Sequence, residues 1–175
     1  MIVKKLPYDD EVRKVIWPSF KVSIADKHGN NGAIGQRGEE HAIKLLDKHF
    51  PDTYKLCYDH SEDVIGQYQG IDLTLFHRNG IMTVDVKSGK TGLYWDRNNQ
   101  YWYITIRDDF FNSNRKTNNT FMHVGPKGDL FVLYNKAKMF TFFNEHNYLF
   151  VEDTYGHRLR MSDWPSFVEH NLSRR

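Results

Sequence analysis

The sequence predicts a single α/β domain with a sheet of about five strands and flanking helices, and three observations carry this prediction. Apolar residues at helical spacing lie between Gly35 and Pro51. Two alternating runs, residues 71–76 and 81–87, are separated by a segment that contains Asn79-Gly80, which is typical of a β-hairpin. Aromatic and β-branched runs predict three more strands, at residues 101–106, 120–124 and 130–134.

The composition agrees with one soluble globular domain. The chain has 175 residues, of which 39% are hydrophobic and 26% are charged, enough for one hydrophobic core. It lacks an apolar run that could cross a bilayer and a signal-peptide core, so the expected location is the cytoplasm, or the host cytoplasm if the protein is viral. The single cysteine, Cys57, excludes an internal disulfide and a cysteine-based zinc site.

The first third of the chain predicts two helices joined by a flexible connection. Asp9 or Asp10 can cap a short helix that Pro18 ends. Residues 23–35 contain three glycines and two asparagines, so we expect a mobile connection there. The helix that follows carries an apolar stripe that should face the core, formed by Ala42, Ile43, Leu45, Leu46 and Phe50.

The end of the chain gives weaker signals. Within residues 139–175 the sequence predicts a short strand at 157–161. A helix can begin at Ser162 or Asp163, because Pro165 would then lie near its first position.

Three charged residues of the predicted hairpin should share one face. A two-residue Asn79-Gly80 turn places Asp72 opposite Lys87 and Thr74 opposite Asp85. The other face then receives only apolar side chains, so the alternation of charge and of hydrophobicity predicts the same arrangement. A cross-strand ion pair on a solvated face is the simpler interpretation of Asp72 and Lys87.

Two carboxylates held a few ångströms apart repel each other unless a cation lies between them. Carboxylate oxygens with open water positions suit Mg²⁺ or Mn²⁺ better than zinc. Lys87, two residues after Asp85, would point to the same face and could orient an attacking water or oppose developing negative charge.

A third acid can come from the predicted helix. Glu39 lies three and four positions before Ala42 and Ile43, near the centre of the apolar stripe, whereas Glu40 projects to its side. Glu39 is therefore the glutamate that we expect to point inward. A solvated glutamate near the start of a helix is the alternative for either residue.

Three motifs carry a resemblance to a known superfamily. They are Gly35-Gln36-Arg37-Gly38-Glu39-Glu40-His41-Ala42, Gly70-Ile71-Asp72 and Asp85-Val86-Lys87-Ser88. Together they resemble the PD-(D/E)XK nuclease superfamily, which includes restriction endonucleases and archaeal Holliday-junction resolvases. The resemblance implies a restriction endonuclease-like core, in which helices flank a mixed sheet, and Mg²⁺-dependent hydrolysis of phosphodiester bonds.

The resemblance also implies roles for individual residues. Glu39, Asp72, Asp85 and the carbonyl of Val86 would hold Mg²⁺ (or Mn²⁺), with Lys87 assisting at the scissile phosphate. We expect the single domain to comprise an N-terminal helix and flexible loop (1–34), a catalytic core (35–135) and a C-terminal extension (136–175).

Cationic residues around this core are the candidates for binding nucleic acid, because phosphate contacts come mainly from lysine and arginine. Arg115 and Lys116 lie in a polar loop that could clamp phosphates. Lys90, Arg97 and Arg107 flank the predicted site in sequence. Each could equally be an ordinary solvated cation.

The interpretation as a whole is a metal-dependent endonuclease acting on DNA. A non-catalytic nucleic-acid-binding or accessory protein on the same fold is one alternative. An RNA-directed nuclease is another, since contacts to the 2′-hydroxyl leave no spacing signature in a sequence. By analogy, a homodimer would suit the cutting of both strands of a duplex.

Overall fold

A computed structural model describes residues 1–20, 30–145 and 156–163 of the chain. The helices are α1 (Asp10–Ile16), α2 (Asn30–His49), α3 (Val64–Tyr68) and α4 (Lys136–Glu145). The strands are β1 (Ile2–Lys5), β2 (Leu56–Asp59), β3 (Leu73–His77), β4 (Gly80–Lys87), β5 (Leu93–Asp96), β6 (Tyr101–Ile106), β7 (Thr120–Val124), β8 (Phe131–Asn135) and β9 (His157–Arg160). Short 3₁₀ turns cover Gly89–Thr91, Asp108–Phe110 and Met161–Asp163.

The central sheet has six strands in the order β1-β2-β3-β4-β7-β8. β1 pairs with β2 and β4 pairs with β7 in parallel, and the other neighbours are antiparallel. The predicted α/β fold with a mixed central sheet flanked by helices is therefore confirmed, with one strand more than expected. β1 and β2 escaped prediction because their four-residue sequences, IVKK and LCYD, show no clear alternation of apolar and polar residues.

A second sheet contains three strands in the order β5-β6-β9. The segment 101–106, predicted to belong to the central sheet, is β6 and lies in the middle of this second sheet. β6 pairs with β5 on one edge and with β9 on the other, so neither edge is left for the central sheet. The predicted strand near residues 157–161 is confirmed as β9.

Apolar side chains cover both faces of the central sheet. On one face α2 packs against the sheet in a core that includes Ala42, Leu46, Leu73, Leu75, Val84 and Met122. On the other face α4 and the second sheet form a core that includes Phe121, Tyr134, Met139, Phe143, Ile104 and Leu159. Successive residues of β7 enter opposite cores, as the alternation of a strand requires.

Both N-terminal helices can be compared with the sequence. α1 begins after Asp9, whose side chain accepts hydrogen bonds from the backbone N–H groups of Glu11 and Val12, so the predicted cap is confirmed. The predicted connection through residue 35 is wrong for residues 30–35, which belong to α2. Residues 23–29, and the helix predicted beyond Asp163, lie outside the described residues.

Tertiary contacts explain why α2 extends through its glycines. The hydroxyl of Ser88, directly after β4, donates a hydrogen bond to the carbonyl of Ile34 at 3.2 Å. A Cβ built on Gly38 would lie only 2.5 Å from the Cβ of Ser88, so Gly38 is the residue that permits this approach. Packing against the end of β4 thus overrides the low helix propensity of glycine.

Two glycine variants test this close approach. We expect Gly38→Ala to lower the free energy of unfolding by about 1–3 kcal/mol, because the added methyl group would force α2 away from Ser88. Gly35→Ala is the matched control: nothing lies within 4 Å of a Cβ at that position, and we expect it to raise stability by up to about 1 kcal/mol. Urea unfolding of both variants measures the difference, and equal stability would contradict the contact.

Among the described residues, no helix is both long and apolar enough to cross a membrane.

Candidate functional site

The β3–β4 hairpin differs from its predicted register. The structure pairs Leu73 with Val84 and His77 with Gly80, so the two turn residues are Arg78 and Asn79 rather than Asn79 and Gly80. The predicted pairing of Asp72 with Lys87 and of Thr74 with Asp85 is therefore wrong, and Thr74 pairs with Thr83.

Backbone angles give the reason for this difference. A type I′ turn needs positive φ at both central residues, whereas positive φ occurs here at Gly80, with φ of 148°, and at neither Arg78 nor Asn79. Gly80 supplies its conformational freedom as the first residue of β4 rather than inside the turn. Because the register moves by two residues, every side chain keeps its predicted face.

Asp72 lies beside Asp85 at the end of the β3–β4 hairpin. The last residue pair of the two strands is Leu73 with Val84, and Asp72 directly precedes β3. The backbone N–H of Asp72 donates to the carbonyl of Val84 at 2.8 Å, and the backbone N–H of Val86 donates to Oδ2 of Asp72 at 2.7 Å. Asp72 is therefore fixed against the two residues that flank Asp85 in the chain.

Asp85 and Lys87 form a shielded ion pair. Their side chains are 6% and 16% exposed, and the Lys87 Nζ lies 2.7 Å from Oδ1 of Asp85. The ammonium also lies 4.5 Å from the centroid of the Phe110 ring, within the range of a cation–π interaction. Such a pair is held in one geometry, and removing either partner would leave an uncompensated charge away from water.

Asp85 lies close enough to two further lysines to affect their pKa values. Burial, followed by the Lys87 ammonium, lowers the pKa of Lys116, whereas Asp85 acts to raise it. Burial and the Lys116 ammonium lower the pKa of Lys136, again against the effect of Asp85. Three ammonium groups, those of Lys87, Lys116 and Lys136, therefore lie around Asp85, and together they would attract an anionic ligand.

A neutral histidine supports the segment after Lys87. His123 is fully buried, with Nδ1 at the carbonyl of Thr91 and Nε2 2.8 Å from the Tyr134 hydroxyl. Because a carbonyl only accepts, Nδ1 carries the proton and Nε2 accepts from Tyr134. Burial lowers the pKa of His123 to about 3 and raises that of Tyr134.

A second histidine supports Asp72. The His60 ring bridges Oδ2 of Asp63 and Oγ1 of Thr74, each at 2.7 Å. The backbone N–H of His60 donates to the carbonyl of Asp72 at 2.8 Å. His60 thus helps to position Asp72. The sequence around His60 did not indicate this role, because Asp63 and Thr74 contact its ring only in the folded chain.

The helix glutamate has the predicted orientation. Glu39 is partly buried whereas Glu40 is exposed, so Glu39 is the inward residue. Glu39 lies near Lys5 of β1: the pKa of Lys5 is raised by its hydrogen bond with Glu62, and Asp59 and Glu39 add to the effect. Among the described residues, no three His, Cys, Asp or Glu side chains form a group that could hold a metal ion.

The predicted phosphate-binding cations have different surroundings. Lys90 and Arg97 are exposed, Lys90 in the 3₁₀ turn after β4 and Arg97 in the turn between β5 and β6. Arg107 is exposed but paired with Asp109 at 3.0 Å. Lys90 and Arg97 therefore keep the solvent access that phosphate binding requires.

The loop predicted to clamp phosphates packs against neighbouring segments, with Arg115 exposed and Lys116 largely buried. Arg115 lies 4.8 Å from the Trp17 ring and donates to the carbonyl of Tyr68 at 2.9 Å. Lys116 is only 13% exposed and lies 3.9 Å from Asp109. These contacts fix the loop against the segment before Asp72, and Lys136, which the sequence did not indicate, joins Lys116 there.

The comparisons with known proteins identify the family. The family model of the nuclease-related domain matches residues 34–127, more than half of the chain. The chain belongs to the nuclease-related domain family. Domains of this family are nuclease-like and lie within the restriction endonuclease-like superfamily, so the resemblance found in the sequence is confirmed at that level. Searches of curated proteins and of solved structures found no match.

The match covers the structural features described above. Residues 34–127 include most of α2 with Glu39, the whole β3–β4 hairpin and the segment from β5 to β7. Lys136 and α4 follow the matched region. Asp72, Asp85 and Lys87 therefore lie within the matched range, whereas Lys136 lies outside it.

Proposed function

We propose that this nuclease-related domain is a metal-dependent endonuclease that hydrolyses phosphodiester bonds of DNA. The observation that carries the proposal is the hydrogen bonding of Asp72 to both chain neighbours of Asp85, with Lys87 2.7 Å from Asp85, at one end of the β3–β4 hairpin. An acidic pair beside an ammonium provides both a cation site and a positive charge for a phosphate.

The donor set at this hairpin fits a magnesium ion. Mg²⁺ binds through one or two carboxylates and keeps several waters, and Asp72 and Asp85 supply two carboxylates at one end of the hairpin. The carbonyl of Val86 is a third candidate ligand, and Glu39 of α2 is a fourth. When bound, Mg²⁺ (or Mn²⁺) would activate a water and stabilise charge on the scissile phosphate.

The residues of the chain then have separate tasks. Val86 N–H and His60 hold Asp72 in place. Lys87 would direct its ammonium at a phosphate oxygen, and the Phe110 ring limits where it can go. A fixed cation in a site with little water stabilises developing negative charge more strongly than one in bulk water.

A non-catalytic role in nucleic-acid binding is the second candidate. The observation that favours it is the absence of a three-ligand group among the described side chains, together with an Asp85–Lys87 pair that already neutralises itself. On this view the excess of lysines would bind phosphates without cleaving them.

A cleavage panel separates the two candidates. We expect the purified chain to cut DNA in Mg²⁺ or Mn²⁺ and to lose all activity in EDTA. The substrates are plasmid, linear, branched and single-stranded DNA, with a matched single-stranded RNA to test for an RNA-directed enzyme. Binding of these substrates without cleavage in either metal would support the non-catalytic role and contradict the nuclease.

A further inference from the structure

A pocket of about 430 Å³ lies beside the candidate active site, between the loop after β6 and the start of α4. Phe111, Lys116 and Thr117 line one side, and Lys136 and Phe140 line the other. Its volume is within the range of small-ligand sites, about 300–1,000 Å³. No role in the proposed hydrolysis uses this pocket.

The pocket holds a fixed ammonium. Nζ of Lys136 donates to the carbonyl of Lys116 at 3.3 Å and to Oδ1 of Asn118 at 3.4 Å. Within the described ranges no carboxylate lies within 4.0 Å of this nitrogen, although Lys136 is only partly exposed. Two neutral acceptors position the charge without neutralising it, so an anion would complete the site.

Another part of the pocket lining is apolar and aromatic. Phe111 and Phe140 have ring centroids 5.7 Å apart at an angle of 48°. Phe111 is anchored by Phe121 and Phe143, whereas Phe140 is 41% exposed. An exposed phenyl ring at the mouth of a cationic pocket suits a ligand that combines an anion with a flat ring.

Contacts join the pocket to the segment that leads into Asp72. The backbone N–H of Thr117 donates to the carbonyl of Gln69 at 2.9 Å. A Cβ at Gly70 would lie 2.8 Å from Cγ of Lys116, so the lysine stem packs directly on the backbone that leads into Asp72. A group bound in the pocket would therefore be a near neighbour of a phosphate at Asp72 and Asp85.

We propose that this pocket binds one nucleotide of the substrate strand, with its phosphate on Lys136 and its base against Phe140 and Phe111. The inference rests on the proposed nuclease function and names its substrate class, which is DNA with an unpaired nucleotide next to the cut. A base that is paired and stacked in a duplex cannot enter a pocket between side chains without first leaving the helix.

Isothermal titration of the whole chain without metal tests the pocket directly. The probe is deoxyadenosine 5′-monophosphate, compared with deoxyadenosine and with inorganic phosphate. We expect the monophosphate to bind more tightly than either fragment, and Lys136→Gln and Phe140→Ala each to weaken it by about tenfold or more. Lys138→Gln, which removes an exposed lysine from the same helix, is the matched control and should bind like the parent.

Each result decides the question. Equal binding of inorganic phosphate and the monophosphate, or equal losses in Lys136→Gln and Lys138→Gln, would overturn the nucleotide site. Cleavage of DNA by a protein that does not bind the monophosphate would reject the pocket and leave the nuclease proposal standing. Nucleotide binding with the predicted variant pattern, but without cleavage of any substrate, would reject the nuclease and retain the pocket.

Discussion

Replacing Asp85 with asparagine is expected to abolish metal-dependent cleavage. The substitution keeps the shape of the side chain but removes one of the two carboxylates at this end of the hairpin. Asp72→Asn should have the same effect, because it removes the other carboxylate. Lys87→Met should lower the rate by about a hundred- to a thousandfold, the usual effect of deleting one group that stabilises transition-state charge.

Asp109→Asn is the matched control for this series. Its carboxylate is 54% exposed and pairs with Arg107 at 3.0 Å, and it lies in a 3₁₀ turn outside the β3–β4 hairpin. We expect this variant to cut DNA at nearly the parent rate. Full activity in Asp85→Asn, or an equal loss in Asp109→Asn, would remove the proposed mechanism.

Stability must be measured alongside these rates, because Asp85 and Lys87 shield each other from water. Loss of one partner of a buried pair typically costs about 3–5 kcal/mol, and Lys87 keeps 16% exposure, which reduces the effect. Circular dichroism and urea unfolding show whether each variant is folded under the assay conditions. A folded but inactive Asp85→Asn protein is the informative result.

Acidification is expected to destabilise the fold through His123. Its pKa is about 3 in the folded chain because the ring is buried, whereas an unfolded histidine titrates near about 6.5. Above about 6.5 both states are neutral and the residue has no effect on pH dependence. Between the two pKa values the unfolded chain binds a proton that the folded chain does not, so stability falls by up to about 1.4 kcal/mol per pH unit. Below about 3 the effect is complete.

Unfolding measured by urea at several pH values checks this prediction. His123→Gln removes the titrating group, so its stability should fall less steeply than that of the parent between pH 6.5 and 3, whatever its stability at neutral pH. If the variant does not fold, the parent's imidazole can be followed by NMR. A protonated His123 ring in the folded protein at pH 5 would contradict the predicted burial effect.

The local periodicity of the chain predicted the faces of the hairpin strands correctly, whereas the turn motif predicted the wrong turn residues. The alternation of residues 71–76 and 81–87 placed Leu73, Leu75 and Val84 in the core and Asp85 beside Lys87, as observed. The turn residues were wrong because Asn79-Gly80 resembles a common turn, whereas here Gly80 uses its positive φ at the start of β4. Since the error was two residues, the face of every side chain survived it.

Contacts between segments that are distant in the chain could not be predicted in this way. Lys116 and Lys136 were placed near Asp85 by the loop after β6 and by α4, and nothing in either segment's periodicity specifies the other. The length of α2 depended likewise on Ser88 packing against Gly38. Glycine propensity alone predicted a loop over part of the same residues.

Local patterns in the chain were enough to predict the α/β class, the apolar and charged faces of the hairpin, and Asp85 beside its lysine, because a strand's two-residue period and a helix's stripe are local properties. Long-range packing was needed to fix Asp72 against Val84 and Val86, to bring Glu39 near Lys5, and to build a pocket around the ammonium of Lys136. These depend on how sheets, helices and loops pack across long chain separations, and that packing leaves no periodic signal in the sequence.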